Sequence, residues 1–126
     1  MGKEIIRSEK APAPIGPYSQ AVMHNGVLFV SGQIALHPVS GELITNNIQQ
    51  ETHQVMQNLQ AILESAGLSF SNVVKCSIFV KDLNNFTQIN SVYGEYFPSD
   101  PPARETVEVS RLPKDVNVEI SCIAVK

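Results

Sequence analysis

The sequence has no tryptophan, two cysteines among 126 residues, and no apolar run near the ~20 residues that span a bilayer. Cys76 and Cys122 are too few for a disulfide framework and too far apart for a CxxC motif, so both read as small core residues. Charged residues are also sparse, at 17% with a net charge of −3. The nine Lys and Arg are scattered and form no stripe, which argues against nucleic acid as a partner. His24, His37 and His53 lack ligand spacing, and HExxH is absent, so no metal is expected. Without GxGxxG or a Walker loop, no nucleotide cofactor is expected either. There is no GxSxG elbow, and Ser31-Gly32 has no His or Lys placed to activate it, so it is a weak nucleophile candidate. Met1 to Ile6 has no signal-peptide run, and Ile6 stands where N-myristoylation needs Ser or Thr, so the expected address is the cytoplasm.

What is present is a globular composition, 43% hydrophobic, at a length that fits one domain over residues 1–126. Residues 11–17, Ala-Pro-Ala-Pro-Ile-Gly-Pro, must be an extended loop. Tyr18 to Met23 reads as a strand, His24-Asn25-Gly26 as a hairpin turn and Val27 to Gln33 as the return strand. Ile48 to Ala66 carries apolar residues at 48, 55, 59, 62, 63 and 66, one helical face, and Gly67 is a natural stop. Val73 to Val80 is β-branched strand. Asp82 or Asn84 caps a second helix that runs to Phe97, before Pro98. Arg104 to Ser110 and Val116 to Val125 are the last two strands. The order is ββαβαββ, an α+β fold whose antiparallel or mixed sheet has two helices on one face.

Alternation assigns the faces. Leu28, Val30, Ile34, Val74, Cys76, Ile78, Val80, Val107, Val109, Val118, Ile120, Cys122 and Ala124 should pack under the helices. The other parity mixes Phe29, Phe79, Ile123 and Val125 with Ser31, Gln33, Lys75, Ser77, Arg104, Thr106, Glu108, Glu119 and Ser121. Such a face suits a subunit interface holding a polar site. Arg104 and Glu119 fall together on it. Arg offers a fork that fits a carboxylate, and a partly buried Glu can orient or deprotonate water. On spacing alone, a structural salt bridge is the favoured explanation of the pair.

Ile15-Gly16-Pro17-Tyr18-Ser19-Gln20-Ala21, Ser31-Gly32-Gln33-Ile34, Ala103-Arg104, Val107-Glu108-Val109, Arg111-Leu112-Pro113-Lys114-Asp115 and Val118-Glu119-Ile120 together resemble the signatures of the Rid (YjgF) family. The resemblance covers essentially the whole chain. It implies a chorismate-mutase-like homotrimer with sites in clefts between subunits, and hydrolysis of 2-imino acids to 2-oxo acids and ammonia without a cofactor. It further implies that Arg104 holds the substrate carboxylate and Glu119 positions water, with Tyr18, Ser31, Asn90 and Thr106 contributing to binding. Many members have Cys where this chain has Thr106, so oxidation-based regulation at that position is not expected. Relatives of this kind have also been described as ligand-sensing regulators that bind a small carboxylate without turnover, and as RNA-cleaving translation inhibitors. The acidic charge disfavours the last.

Overall fold

In the computed structural model, which describes residues 2–126, the chain runs β1 (Glu4–Ile6), β2 (Ala21–His24), β3 (Val27–Gln33), α1 (Ile48–Ser65), β4 (Val73–Val80), α2 (Phe86–Glu95), β5 (Ala103–Glu108) and β6 (Val118–Val125). The strand order in the sheet is β1-β2-β3-β6-β4-β5. Every pairing is antiparallel except β4 with β5, which α2 joins as a crossover. The sheet is therefore mixed.

Local chemistry explains most boundaries. Asn25 and Gly26 take φ of 51° and 78°, the left-handed pair that a two-residue hairpin between β2 and β3 requires. The Asn47 side chain caps α1 by accepting from the Gln50 amide at 2.8 Å. The helix stops at Gly67 (φ 75°), where the Leu68 amide donates back to the Leu63 carbonyl at 2.9 Å. Asp82 caps a short 3-10 turn, Leu83–Asn85, that leads into α2. The second helix ends at Glu95, two residues short of the expected Phe97.

One strand was not expected. Glu4–Ile6 is too short to show alternation, and its conformation comes from pairing with β2, Glu4 opposite Met23. The preceding reading of Tyr18 to Met23 as strand also shifts, because Gln20 turns its side chain inward and pairing begins at Ala21.

The core lies between the sheet and α1. Val55, Met56, Leu59, Ile62 and Leu63 are fully buried against Leu28, Ile78, Ile120 and Ala124 in one cluster. Each such side chain stabilises the fold by roughly 1.5–3 kcal/mol. Three expected face assignments are corrected. A bulge between Val73 and Lys75 buries Val73 and leaves Val74 exposed. A second bulge, between Val30 and Gln33, sends Ile34 into a smaller cluster with Leu36, Leu112 and Val116, beside Phe79 and Val109. On β5 the parity is inverted: Val107 stands opposite Phe79 and is exposed, while Arg104 and Thr106 stand opposite Cys76 and Ile78, toward the helices.

Because Gly67 alone supplies the left-handed stop of α1, Gly67→Ala should cost about 1–2 kcal/mol. Calorimetry should show the melting temperature lowered by a few degrees; an unchanged value would mean the helix end can be rebuilt without that conformation.

Candidate functional site

Glu119 is the second residue of β6, opposite Phe79 and away from the helices. Its carboxylate lies against the bulge of β3. A methyl group added to Gly32 would overlap the Glu119 carboxylate, its Cδ only 2.9 Å away, so glycine is what allows the carboxylate to lie here. The side chain is half-buried, and burial raises its proton affinity above the usual carboxylate value.

The carboxylate faces a cleft of about 350 Å³ whose walls include Tyr18, Ser31, Gly32, Ile34 and Pro113. No cation lines it, and Glu119 is its single charged group among the described residues. The wall made by the proline-rich loop is tied down by Gln20, which is buried. Its side-chain amide donates to the carbonyls of Ser8 and Pro12, at 3.0 and 2.8 Å, and its carbonyl accepts from the Ser8 amide at 2.7 Å. Tyr18 is 47% exposed and folds over its own loop, its hydroxyl accepting from the Ile15 amide at 3.3 Å. The Ser31 hydroxyl donates to the Ser19 carbonyl at 2.6 Å, which commits it to backbone and leaves it a poor nucleophile.

Arg104 belongs to a second arrangement. Its Nη1 donates to Asn90 Oδ1 at 2.7 Å. Its Cζ lies 5.0 Å from the Tyr93 ring centre and 5.5 Å from that of Phe86. Phe86, Asn90 and Tyr93 are spaced four and three apart, one face of α2, so the helix holds the guanidinium by two rings and an amide. Asn90 takes one of its five donors and leaves the planar fork to meet another group. Thr106 follows on the same side of β5. Its Oγ1 is buried without a hydrogen-bond partner, as is Tyr93 Oη.

The two candidate catalytic residues do not share a face. Arg104 stands opposite Cys76, which stands opposite Cys122, all toward the helices. Glu119 stands opposite Phe79, which stands opposite Val107, all away from them. The expected pairing of Arg104 with Glu119 on one mixed face is corrected, and a salt bridge between them within one chain is excluded. The cause is the inverted parity of β5: the aromatic rings of α2 cover a cation where an apolar side chain was expected. Tyr18, Ser31 and Glu119 are thus brought to one cleft, and Asn90, Thr106 and Arg104 to another place.

Among the buried polar residues of α1, sequence reasoning missed Glu51 and Asn58. A signal was available. Both fall within the apolar stripe at 48, 55, 59 and 62, three residues after an apolar position, where an unpartnered carboxylate or amide would be costly.

Fold and site together define a small α+β sheet protein with a carboxylate cleft on its uncovered face and a clamped arginine on the other. Residues 8–126 match the family described as Endoribonuclease L-PSP. The chain is 52% identical to a RutC family protein of Pyrococcus abyssi over 100% of its length and 99% of the relative's. It is 44% identical to the 2-iminobutanoate/2-iminopropanoate deaminase of Bos taurus, covering 98% of this chain and 90% of that one. Among solved structures, TdcF of E. coli with bound serine superposes with a TM-score of 0.94 at 41% identity, covering 98% of each chain. The chain belongs to this family, the Rid (YjgF) family of its sequence motifs.

Gly32→Ala should push the Glu119 carboxylate outward into solvent. Carbon-13 NMR titration should then show its pKa falling toward the ordinary 4.5, with little change in melting temperature. A pKa that stays raised would show that the bulge does not set its environment.

Proposed function

We propose that the protein hydrolyses reactive 2-imino acids, of the kind released by pyridoxal-phosphate dehydratases, to 2-oxo acids and ammonia. The observation that carries this reading is the half-buried Glu119, a carboxylate of raised proton affinity in a cleft with no cation. Such a group accepts a proton from water near neutral pH more readily than an exposed glutamate does. The Arg104 fork, held flat by α2, suits the substrate carboxylate. Water adds to the C=N carbon as Glu119 takes its proton. Glu119 returns that proton to the nitrogen of the resulting carbinolamine, the C–N bond breaks to release ammonia, and the hydroxyl gives up its proton as the carbonyl of the 2-oxo acid forms. An imine is already electrophilic, so positioning and one proton acceptor suffice. The relative named as a deaminase and the relative holding serine, an amino acid with the same α-carboxylate, both support this reading.

Arg104 and Glu119 lie on opposite faces, so they can act on one substrate when they come from different copies of the chain. The uncovered face offers a surface for this: Phe29 is 49% exposed there, and Val107 and Val125 accompany it. A ring of three copies, each joined to the next by the same heterologous contact, would build three equivalent clefts. RNA cleavage is disfavoured, because a cleft with a lone carboxylate repels phosphate and the net charge is −3.

The test uses a dehydratase to generate 2-iminobutanoate in place, with semicarbazide competing for it. Wild type should divert imine to 2-oxo acid and lower the semicarbazone yield. Arg104→Ala and Glu119→Gln should each lose this effect. Unfolded together in equal amounts and refolded, they should recover about a quarter of wild-type activity, because random rings pair an intact Arg104 with an intact Glu119 at one contact in four. No recovery from a correctly assembled mixture would mean that both groups act from one chain. If wild type binds 2-oxobutanoate but never lowers the yield, the protein is a carboxylate sensor.

Arg104→Lys keeps the charge but loses the fork. Calorimetry should show 2-oxobutanoate affinity reduced about 10–100-fold, the worth of a charge-assisted hydrogen bond. Unchanged affinity would show that charge alone is used.

A further inference from the structure

The carboxylate of Glu51 is wholly buried in α1, far from being a surface group, and takes no direct part in the mechanism above. It accepts two hydrogen bonds from one residue: Asn117 N–H donates to Oε2 at 2.7 Å and Asn117 Nδ2 donates to Oε1 at 2.8 Å. On its other side, the Asn117 carbonyl accepts from the Lys81 amide at 3.1 Å. Asn117 is thus held at both backbone groups, one residue before β6 begins and two before Glu119.

That clamp has something to resist. Lys114 and Asp115, just upstream, both take left-handed conformations at φ 54° and 58°. Neither is glycine, so each carries strain of about 1–3 kcal/mol that persists only where the surroundings over-determine it. Lys81 Nζ fixes Asp115 at 2.7 Å, but on the exposed side. The buried anchor is Glu51. Seven residues along the same helix face, the buried Asn58 amide donates to the carbonyls of Ile34 and Leu36, at 3.1 and 3.0 Å. Ile34 and Leu36 line the same cleft as Glu119. One helix face therefore ties down two chain segments that border the cleft, through two buried polar side chains.

We propose that Glu51 is a positioning residue for the reaction, acting through Asn117 to hold Glu119 against the β3 bulge. This rests on the hydrolytic reading of Glu119. A carboxylate is needed because Asn117 presents two donors, and only a group with two acceptors meets both. Glu51→Gln meets one of them. It should lower kcat for 2-iminobutanoate about tenfold with KM within twofold, since Arg104 is untouched. It should also let the Glu119 pKa drift toward its ordinary value, read by carbon-13 NMR without any turnover. Adding Asn117→Asp reverses donor and acceptor, keeps the buried charge count and should restore both readouts. Ile62→Val, in the same helix but remote from the cleft, should lower the melting temperature while leaving kcat and the Glu119 titration unchanged.

Four results would overturn the proposal: an unaltered kcat and titration in Glu51→Gln; an equal fall in Ile62→Val; no rescue by Asn117→Asp; or a fall in affinity for 2-oxobutanoate as large as that in kcat. If Glu51→Gln does not fold, Asn117→Ala removes one of the two bonds and must shift the Glu119 titration in the same direction, or the proposal fails. Should wild type show no imine hydrolysis, the hydrolytic reading falls, while the titration still decides whether Glu51 sets the environment of Glu119.

Discussion

Two helices of 18 and 10 residues must cover a sheet of six strands, and they reach one face of it. That shortage governs the rest of the structure. The face under α1 closes into a conventional apolar core. The face without helices has to manage water, and it does so with a mixture: the Ser77–Glu105–Lys75 contacts, a few exposed apolar groups, and the cleft beneath the proline-rich loop. A carboxylate placed in the helix-covered core needs hydrogen-bond donors for its oxygens, as Glu51 has in the two donors of Asn117. Placed at the margin of the open face, Glu119 is partly desolvated yet still reachable, the compromise that lets a side chain exchange a proton.

The two polar halves of the candidate site obey different rules. Around Arg104 the environment is aromatic and fixed: two rings and one amide from consecutive turns of a helix restrict a side chain that would otherwise explore many rotamers. Around Glu119 it is backbone that does the shaping, through a bulge, a glycine and a strained loop. In the proposed hydrolysis, a rigid charge on one side and a partly desolvated carboxylate on the other would divide the labour of orientation and proton transfer.

Much of the fold was legible in the sequence because local signals agreed with tertiary demand. Val27–Gln33 and Val73–Val80 are β-branched runs bounded by turns, and the 48–66 stripe has a clear 3.6 period, so each formed where its pattern indicated. What was not legible depended on register. A bulge moves every later side chain to the other face, and nothing in the letters of Val73-Val74-Lys75 or Val30-Ser31-Gly32-Gln33 announces one. The parity of β5 failed for a related reason: Val107 and Val109 looked like core, but the helix above that strand presents aromatic rings that accept a guanidinium. For the site, the identities of Arg104 and Glu119 came from motif resemblance. Their separation onto two faces came from the pairing ladder, which no spacing rule supplies.

The position of β6 has a temporal consequence. It comes last in the chain yet lies between β3 and β4, and it supplies the pairing that joins β1-β2-β3 to β4-β5. As the chain emerges from a ribosome, a hairpin with one added strand and a parallel pair with its crossover helix can each form early. They remain two unjoined sheets with open edges, and α1 has only part of the surface it will bury. The final strand must insert between them, pairing with residues nearly 100 positions away at Val27 opposite Val125. Such long-range closure is entropically late. The nascent chain therefore exposes two unpaired strand edges until β6 has emerged and inserted, and those edges are what a chaperone, or a neighbouring nascent copy, would meet first.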